Sequence, residues 1–262
     1  MRTPTQQENG IVAVLDALGA ANYTNVEIER FMRSRENVLT LLNQKAEDVL
    51  GENDSHMAAP MITTFTFNDT VIVILRTGRK PPSLQEITAF FMIMRKFLVD
   101  SLQHRILFRG SVAIGTFYVN DKTNTVMGEA VTDAAAWYNR AEWIGVHATP
   151  RTTLIIQRWL EHERVVKGYV MIDYDIPLKG GSTVRAKAVN WPKIFFVKPY
   201  TPCSPKERPR EKLLEFLSFH QVPLGVETKY FNTLAFFDHA AAKVKEENRH
   251  LKVKIKSAPS RP

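Results

Sequence analysis

Two apolar runs dominate the hydrophobic pattern of this chain, and each ends in a single aspartate. Ile11-Val12-Ala13-Val14-Leu15 leads into Asp16 and then Ala17-Leu18-Gly19. Ile62-Thr63-Thr64-Phe65-Thr66-Phe67 leads to Asn68-Asp69 and resumes as Thr70-Val71-Ile72-Val73-Ile74-Leu75. The first pattern predicts a strand and the second a hairpin bent at Asn68-Asp69. Between them Val26, Phe31, Val38, Leu41 and Leu42 follow a helical spacing, which predicts a helix from about Asn25 to Gln44. Lys45 to Pro60, with Gly51, Asn53, Asp54 and Ser55, reads as a loop. Past a break at Thr77 to Pro82, Ser83 caps a helix that carries Leu84, Ile87, Phe90, Phe91, Met94, Phe97 and Leu98 on one face. A long strand from Ile106 to Val119 follows, then a turn at Asn120 to Asn124, Gly128, and a helix from about Glu129 to Trp143.

This order, β-α-β-β-α-β, predicts an α+β fold: a palm-like, ferredoxin-type antiparallel sheet with helices on one face. Later residues carry a weaker pattern. Leu154–Ile156, Tyr169–Tyr174 and Thr183–Val189 read as short strands, Tyr200 to Pro209 as a proline-rich break, and Glu211–His220 and Thr228–Arg249 as helices. Two regions are expected: residues 1–160 as the site-bearing domain, and 161–262 as an extension of strands, helices and a basic tail.

With 44% apolar residues in 262, the chain can bury a substantial core. No run of eighteen apolar residues is present, so no membrane span is expected. Met1 to Gly10 lacks the apolar stretch of a signal peptide, and the single Cys203 cannot form an internal disulfide. Both features place the protein in the cytoplasm. The net charge of +8 invites a nucleic-acid reading, but most of it lies from Lys243 onward, where seven Lys/Arg face two Glu. A solvated helix end explains that run at least as well as a polyanion-binding arm.

A lone carboxylate on an apolar strand is costly to bury unless a cation or donors compensate it. Two of them at strand ends suggest a divalent-cation site, because Mg²⁺ and Mn²⁺ accept a couple of carboxylates plus substrate phosphates. Taken singly, Asp16 reads better as a helix N-cap and Asp69 as a turn residue; the pair in this topology reverses that and points to the metal. The seven histidines show no ligand spacing, Cys203 has no zinc partner, and neither a Walker loop nor a dinucleotide fingerprint occurs.

With these motifs placed, residues 11 to 156 resemble the class III nucleotidyl cyclases. Asp16-Ala17-Leu18-Gly19 matches that family's Asp-x-x-Gly, and Asn68-Asp69 matches its Gly-Asp with the glycine lost. Arg109-Gly110 through Gly115 matches its third-strand pattern, and Gly128 through Ala136 its glycine-opened, alanine-rich helix. Arg-Gly-Ser-Val-Ala-Ile-Gly (109–115), Ala-Glu-Trp-Ile-Gly (141–145) and Val-Asn-Trp-Pro (189–192) are similar to the pyrimidine cyclases of bacterial Pycsar anti-phage systems. The departures fit that group. The lysine by which purine-specific members read the base is replaced by Phe65, and their base-reading aspartate by Thr125. An aromatic at the first position can stack on any base. The family's transition-state Asn and Arg fall at Thr132 and Ala136. Arg140, expected about one turn further along the same helix, is a substitute within reach of the triphosphate.

The resemblance implies that Asp16 and Asp69, helped by the Ala17 carbonyl, hold two Mn²⁺ or Mg²⁺ ions. One activates the ribose 3′-OH and the other neutralises the leaving pyrophosphate. Amides of Leu18, Gly19 and Ala20 would cradle phosphate oxygens, and Gly19 lets the backbone approach them. It also implies a homodimer with composite sites, with Trp137, Tyr138 and Trp143 near the interface. UTP, ahead of CTP, would be cyclised to a second messenger that acts on a separate effector protein in antiviral defence. Bland alternatives stand beside these expectations. Core packing accounts for Phe65 more readily than base stacking does, and a strand-edge ion pair accounts for Arg109 more readily than a phosphate ligand does. A catalytically inactive nucleotide-binding or dimerisation module shares the same motifs. A palm domain acting on nucleic acid would need Lys/Arg clustered beside the aspartates, and the sequence shows no such cluster.

Overall fold

A computed structural model describes residues 6–20, 23–51, 61–162, 170–220, 222 and 225–257. The loop expected up to Pro60, the strand start at Tyr169, the first residues of the N-terminus and the last of the basic tail lie partly or wholly outside these residues.

One sheet organises the chain. Its strands are β1 (Gln6–Ala17), β2 (Met61–Phe67), β3 (Thr70–Arg76), β4 (Phe108–Asn120), β5 (Thr125–Met127), β6 (Gly145–Ala148), β7 (Met171–Pro177) and β8 (Thr183–Val189). The order is β2-β3-β1-β4-β6-β8-β7, with β5 on β4. All pairings are antiparallel except β4 with β6. The helices are α1 (Asn25–Leu50), α2 (Leu84–Gln103), α3 (Glu129–Trp137), α4 (Pro150–His162), α5 (Pro209–Ser218) and α6 (Glu227–Ser257). The α+β architecture with an antiparallel-dominated sheet is as the sequence predicts.

Strand alternation decides which side chains meet the helices. Ile11, Ala13 and Leu15 face one side and pack with Phe31, Val38 and Leu42 of α1 and with Phe90, Phe91, Met94 and Phe97 of α2. Both helices start in capping boxes, Thr24 with Glu27 and Ser83 with Glu86, which satisfy amides left without intrahelical partners. Val12 and Val14 face the other side with Phe65, Ile74, Ala113 and Phe117, where the short α3 lays down only Ala130 and Ala134. Gly128 makes this approach workable: its φ is +139°, and a Cβ there would sit 2.6 Å from Cα of Phe117.

Four expectations need correction. Residues 45–50, expected in a loop, continue α1, because Ala46 and Leu50 extend its buried stripe. Leu154–Ile156 is not a strand but part of α4, whose first turn is held by the Thr149 hydroxyl and carbonyl accepting from the amides of Thr152 and Thr153. The helix opened by Gly128 stops at Trp137 rather than Trp143, and residues 138–140 form a turn. Arg140 therefore does not lie on that helix. The four-residue β6 was not anticipated; it pairs with β4 and, through His147 and Ala188, with β8. The ribbon β7–β8 thus continues the same sheet. Among the described residues no helix is long and apolar enough to cross a membrane.

Candidate functional site

Asp16 is the last residue but one of β1. Its neighbours across the sheet are Thr70 on β3 and Arg109 on β4; Phe67 lies beyond Thr70, and Gly145 beyond Arg109. Residues directly opposite on paired strands share a face, so Phe67, Thr70, Asp16 and Arg109 form one row. That row lies on the face that also carries Val12 and Val14.

The β2–β3 turn brings in the second carboxylate. Asn68 adopts φ +55°, a left-handed conformation that asparagine tolerates and that a two-residue hairpin requires. The turn is held at both sides: the Ala17 amide donates to the Asp69 carbonyl at 3.1 Å, and Arg35 of α1 donates to the Asn68 carbonyl at 2.5 Å. The Asp69 carboxylate is near enough to act on the ionisation of both Asp16 and Tyr23.

Asp16 is mostly buried and receives two hydrogen bonds on one oxygen, from Nε of Arg109 at 3.0 Å and from Nη2 at 2.9 Å. Burial pushes its pKa above the ordinary carboxylate value; Arg109 pulls it down, Asp69 pushes it up, and Lys179 pulls it down again. The net rise means that Arg109 does not fully compensate the desolvated charge. Oδ1 has no protein hydrogen bond among the described residues, so it remains a hard oxygen donor. This donor set fits Mg²⁺ or Mn²⁺, which prefer carboxylate oxygens and retain sites for phosphate. Among the described residues no group of three or more His, Cys, Asp or Glu side chains is placed to hold a metal, so the protein's share would be two carboxylates and backbone oxygens.

The other expected residues divide. Gly19 takes φ +88° in an open turn, with Ala20 beginning the next bend through its carbonyl to Tyr23. The Leu18 amide already donates to the Leu107 carbonyl at 2.8 Å, which removes it from a phosphate cradle and leaves Gly19 and Ala20. Phe65 is 7% exposed and locked among Val12, Val14, Ile74 and Phe117, so its ring offers no face to a base. Phe67, two residues on, is 82% exposed and stands in the Asp16 row. Thr125 opposes Asn120 at the far end of β4, eleven residues from Arg109, or roughly 35 Å along a strand. Within one chain it does not meet Asp16. Arg140 follows α3 in a turn and lays its guanidinium over the Trp137 ring, 5.6 Å from the centroid. Its backbone is nevertheless central, because its carbonyl accepts from the Lys179 amide at 2.9 Å.

Sequence reasoning missed Lys179. It sits at the tip of the β7–β8 ribbon ahead of Gly180-Gly181, both with positive φ, and its charge acts on Asp16. The signal was a Lys-Gly-Gly turn between two recognised strand patterns, but no local rule says where such a tip lands.

No protein-family model matches the sequence, and no curated protein is similar to it. Solved structures do show likeness. The adenylyl cyclase CyaB from P. aeruginosa shares 17% identity at a TM-score of 0.45, over 71% of this chain and 96% of that one. The catalytic core of a rhodopsin-guanylyl cyclase with converted specificity, in complex with ATPαS, shares 10% identity at 0.43, over 71% and 98%. An adenylate/guanylate cyclase/hydrolase from Silicibacter pomeroyi shares 14% identity at 0.42, over 71% and 98%.

Proposed function

We propose that this chain is a divalent-metal-dependent nucleotidyl cyclase. It converts a pyrimidine nucleoside triphosphate, UTP ahead of CTP, to the 3′,5′-cyclic monophosphate and pyrophosphate, as a second messenger in antiviral defence. The observation that carries the reading is the convergence of Asp16 and Asp69 at one end of the sheet with two cations, Arg109 and Lys179, beside them. A carboxylate pair flanked by cations suits a triphosphate better than it suits a neutral ligand.

In the reaction the ribose 3′-oxygen bonds the α-phosphorus as the bond to the β-phosphate bridging oxygen breaks. Bound Mn²⁺ or Mg²⁺ would supply acidification of the 3′-OH and charge neutralisation on the leaving group. Asp16, Asp69 and the Ala17 carbonyl would hold it. Arg109 keeps Asp16 ionised and aimed, while Lys179 faces the growing pyrophosphate charge. The exposed Gly19–Ala20 turn admits phosphate oxygens close to the backbone. Phe67, rather than Phe65, presents the ring on which a base stacks, and stacking tolerates uracil and cytosine alike. The separation of Thr125 from Asp16 supports a homodimer in which a second protomer completes the site.

One observation favours the rival reading of a catalytically inactive nucleotide-binding module: with Thr132 and Ala136 at those positions, α3 carries no cationic side chain for the anionic transition state. Incubating the purified chain with each NTP and Mn²⁺, with products resolved by mass, separates the two. Cyclic UMP or CMP from wild type and none from Asp16→Ala supports the enzyme; nucleotide binding without any cyclic product supports the module.

A further inference from the structure

Residues 139–144 form a strap between α3 and β6 that is bonded on three sides. Towards the site, the Asn139 carbonyl accepts from Nη1 of Arg109 at 3.3 Å. Towards the β7–β8 ribbon, the Arg140 carbonyl accepts from the Lys179 amide at 2.9 Å, the Glu142 amide donates to the Pro177 carbonyl at 2.8 Å, and Ala141 bridges Leu178. Towards α6, the Ile144 amide donates to Oγ1 of Thr233 at 2.8 Å, Nδ2 of Asn232 donates to the Glu142 carbonyl at 2.7 Å, and Lys229 pairs with the Glu142 carboxylate at 3.7 Å. Thr233 is fully buried and its hydroxyl also donates to the Lys229 carbonyl, so both of its hydrogen-bonding capacities are used.

We infer that α6 is a positioning element for the site: Thr233 and Asn232 fix the strap, and the strap sets where Arg109 and Lys179 stand over Asp16. The kinetic part of this inference rests on the cyclase reading proposed above; the mechanical part does not. Three arguments support it. The two cations beside Asp16 come from elements distant in sequence, and they bond adjacent strap residues, Arg109 through its guanidinium to the Asn139 carbonyl and Lys179 through its amide to the Arg140 carbonyl. The strap's own backbone groups are taken by partners outside it, so its position is dictated by them rather than by a helix or ladder of its own. The Thr233 contact is a buried hydrogen bond that a single substitution can remove, leaving the buried Ile144 amide unsatisfied. Spatial linkage alone does not establish coupling, so the test must show a response at groups that α6 does not touch.

Thr233→Val keeps the shape and removes the hydroxyl; Thr233→Ser keeps the hydroxyl. Amide hydrogen exchange on the full chain is read first. Thr233→Val is expected to speed exchange at Ile144 and also at Glu142 and Lys179, whose amides Thr233 does not contact, while Thr233→Ser leaves all three near wild type. Turnover of UTP with Mn²⁺ is read second. Thr233→Val is expected to lower kcat by at least about tenfold, since small misplacements of catalytic groups cost up to about a hundredfold, with KM little changed and activity restored in Thr233→Ser. Exchange that changes only at Ile144, or a kcat loss shared equally by Thr233→Ser, overturns the inference. If wild type makes no cyclic product, the cyclase reading fails by itself, and the exchange at Glu142 and Lys179 alone decides for or against the strap.

Discussion

Arg109 directs two of its nitrogens at the same oxygen of Asp16, at 3.0 and 2.9 Å, and sends the third to the Asn139 carbonyl. One guanidinium therefore ties the first strand's carboxylate to the turn after α3. It leaves Oδ1 of Asp16 without a hydrogen bond from the described residues. Arg109→Ala is expected to lower kcat/KM for UTP by roughly a hundred- to a thousandfold, the usual effect of removing one preorganised charge donor. With the group that lowers its pKa gone, Asp16 ionises later, so the acid limb of the pH–rate profile shifts to higher pH.

Asp16 also marks stability against pH. Its folded pKa lies above its unfolded value of 3.8, chiefly through burial, so ionisation costs folding free energy. The stability it allows is fully present below the unfolded value and is lost as pH rises through the folded one. Asp16→Asn, which keeps an oxygen for Arg109, should flatten the fall in Tm over that acidic window. Mn²⁺ should stabilise wild type at neutral pH by about 3 kcal/mol at a hundred times its Kd, seen as a raised Tm, and should not raise the Tm of Asp16→Asn.

Asp69 bonds Ala17 through its backbone carbonyl, which a side-chain change leaves in place. Asp69→Ala should therefore retain the wild-type far-UV circular dichroism and Tm within a few degrees while losing cyclic-product formation below detection. A protein that unfolds instead assigns Asp69 to the turn.

The two phenylalanines of β2 should separate cleanly. Phe65→Ala opens a cavity in the cluster with Val12, Val14 and Phe117 and should cost about 3–5 kcal/mol in chemical denaturation. Phe67→Ala should leave stability near wild type and raise KM for UTP by roughly five- to a hundredfold, the range expected for one lost stacking contact. Equal KM in wild type and Phe67→Ala removes the ring from substrate recognition.

Much of this fold is written locally. The runs before Asp16 and Asp69 alternate as strands must, and the Asn-Asp dipeptide is a hairpin turn by its chemistry, so both carboxylates could be placed at strand ends from sequence. Leu154-Ile155-Ile156 misled because three adjacent apolar residues show no period; the helical pattern needs Thr152 and the Thr149 cap to become visible. Strand β6 is four residues long and buried throughout, too short to alternate. Phe65 and Phe67 share a face of β2, so the choice between them depends on how far along that face the α3 cluster reaches, and Lys179 depends on where a ribbon tip seventy residues after Arg109 comes to rest. Those are properties of tertiary packing, and no window of sequence contains them.

Strand β2 ends the sheet order, and no strand among the described residues pairs with its outer edge. Its seven residues, Met-Ile-Thr-Thr-Phe-Thr-Phe, carry no charge and no proline, and Phe67 stands in solvent at their end. Such a segment is a template for intermolecular strand addition, the first step towards ordered aggregates. Handling of the purified protein will be governed by this edge: a lysine at Thr66, itself exposed, should keep it monodisperse in light scattering at concentrations where wild type grows larger particles.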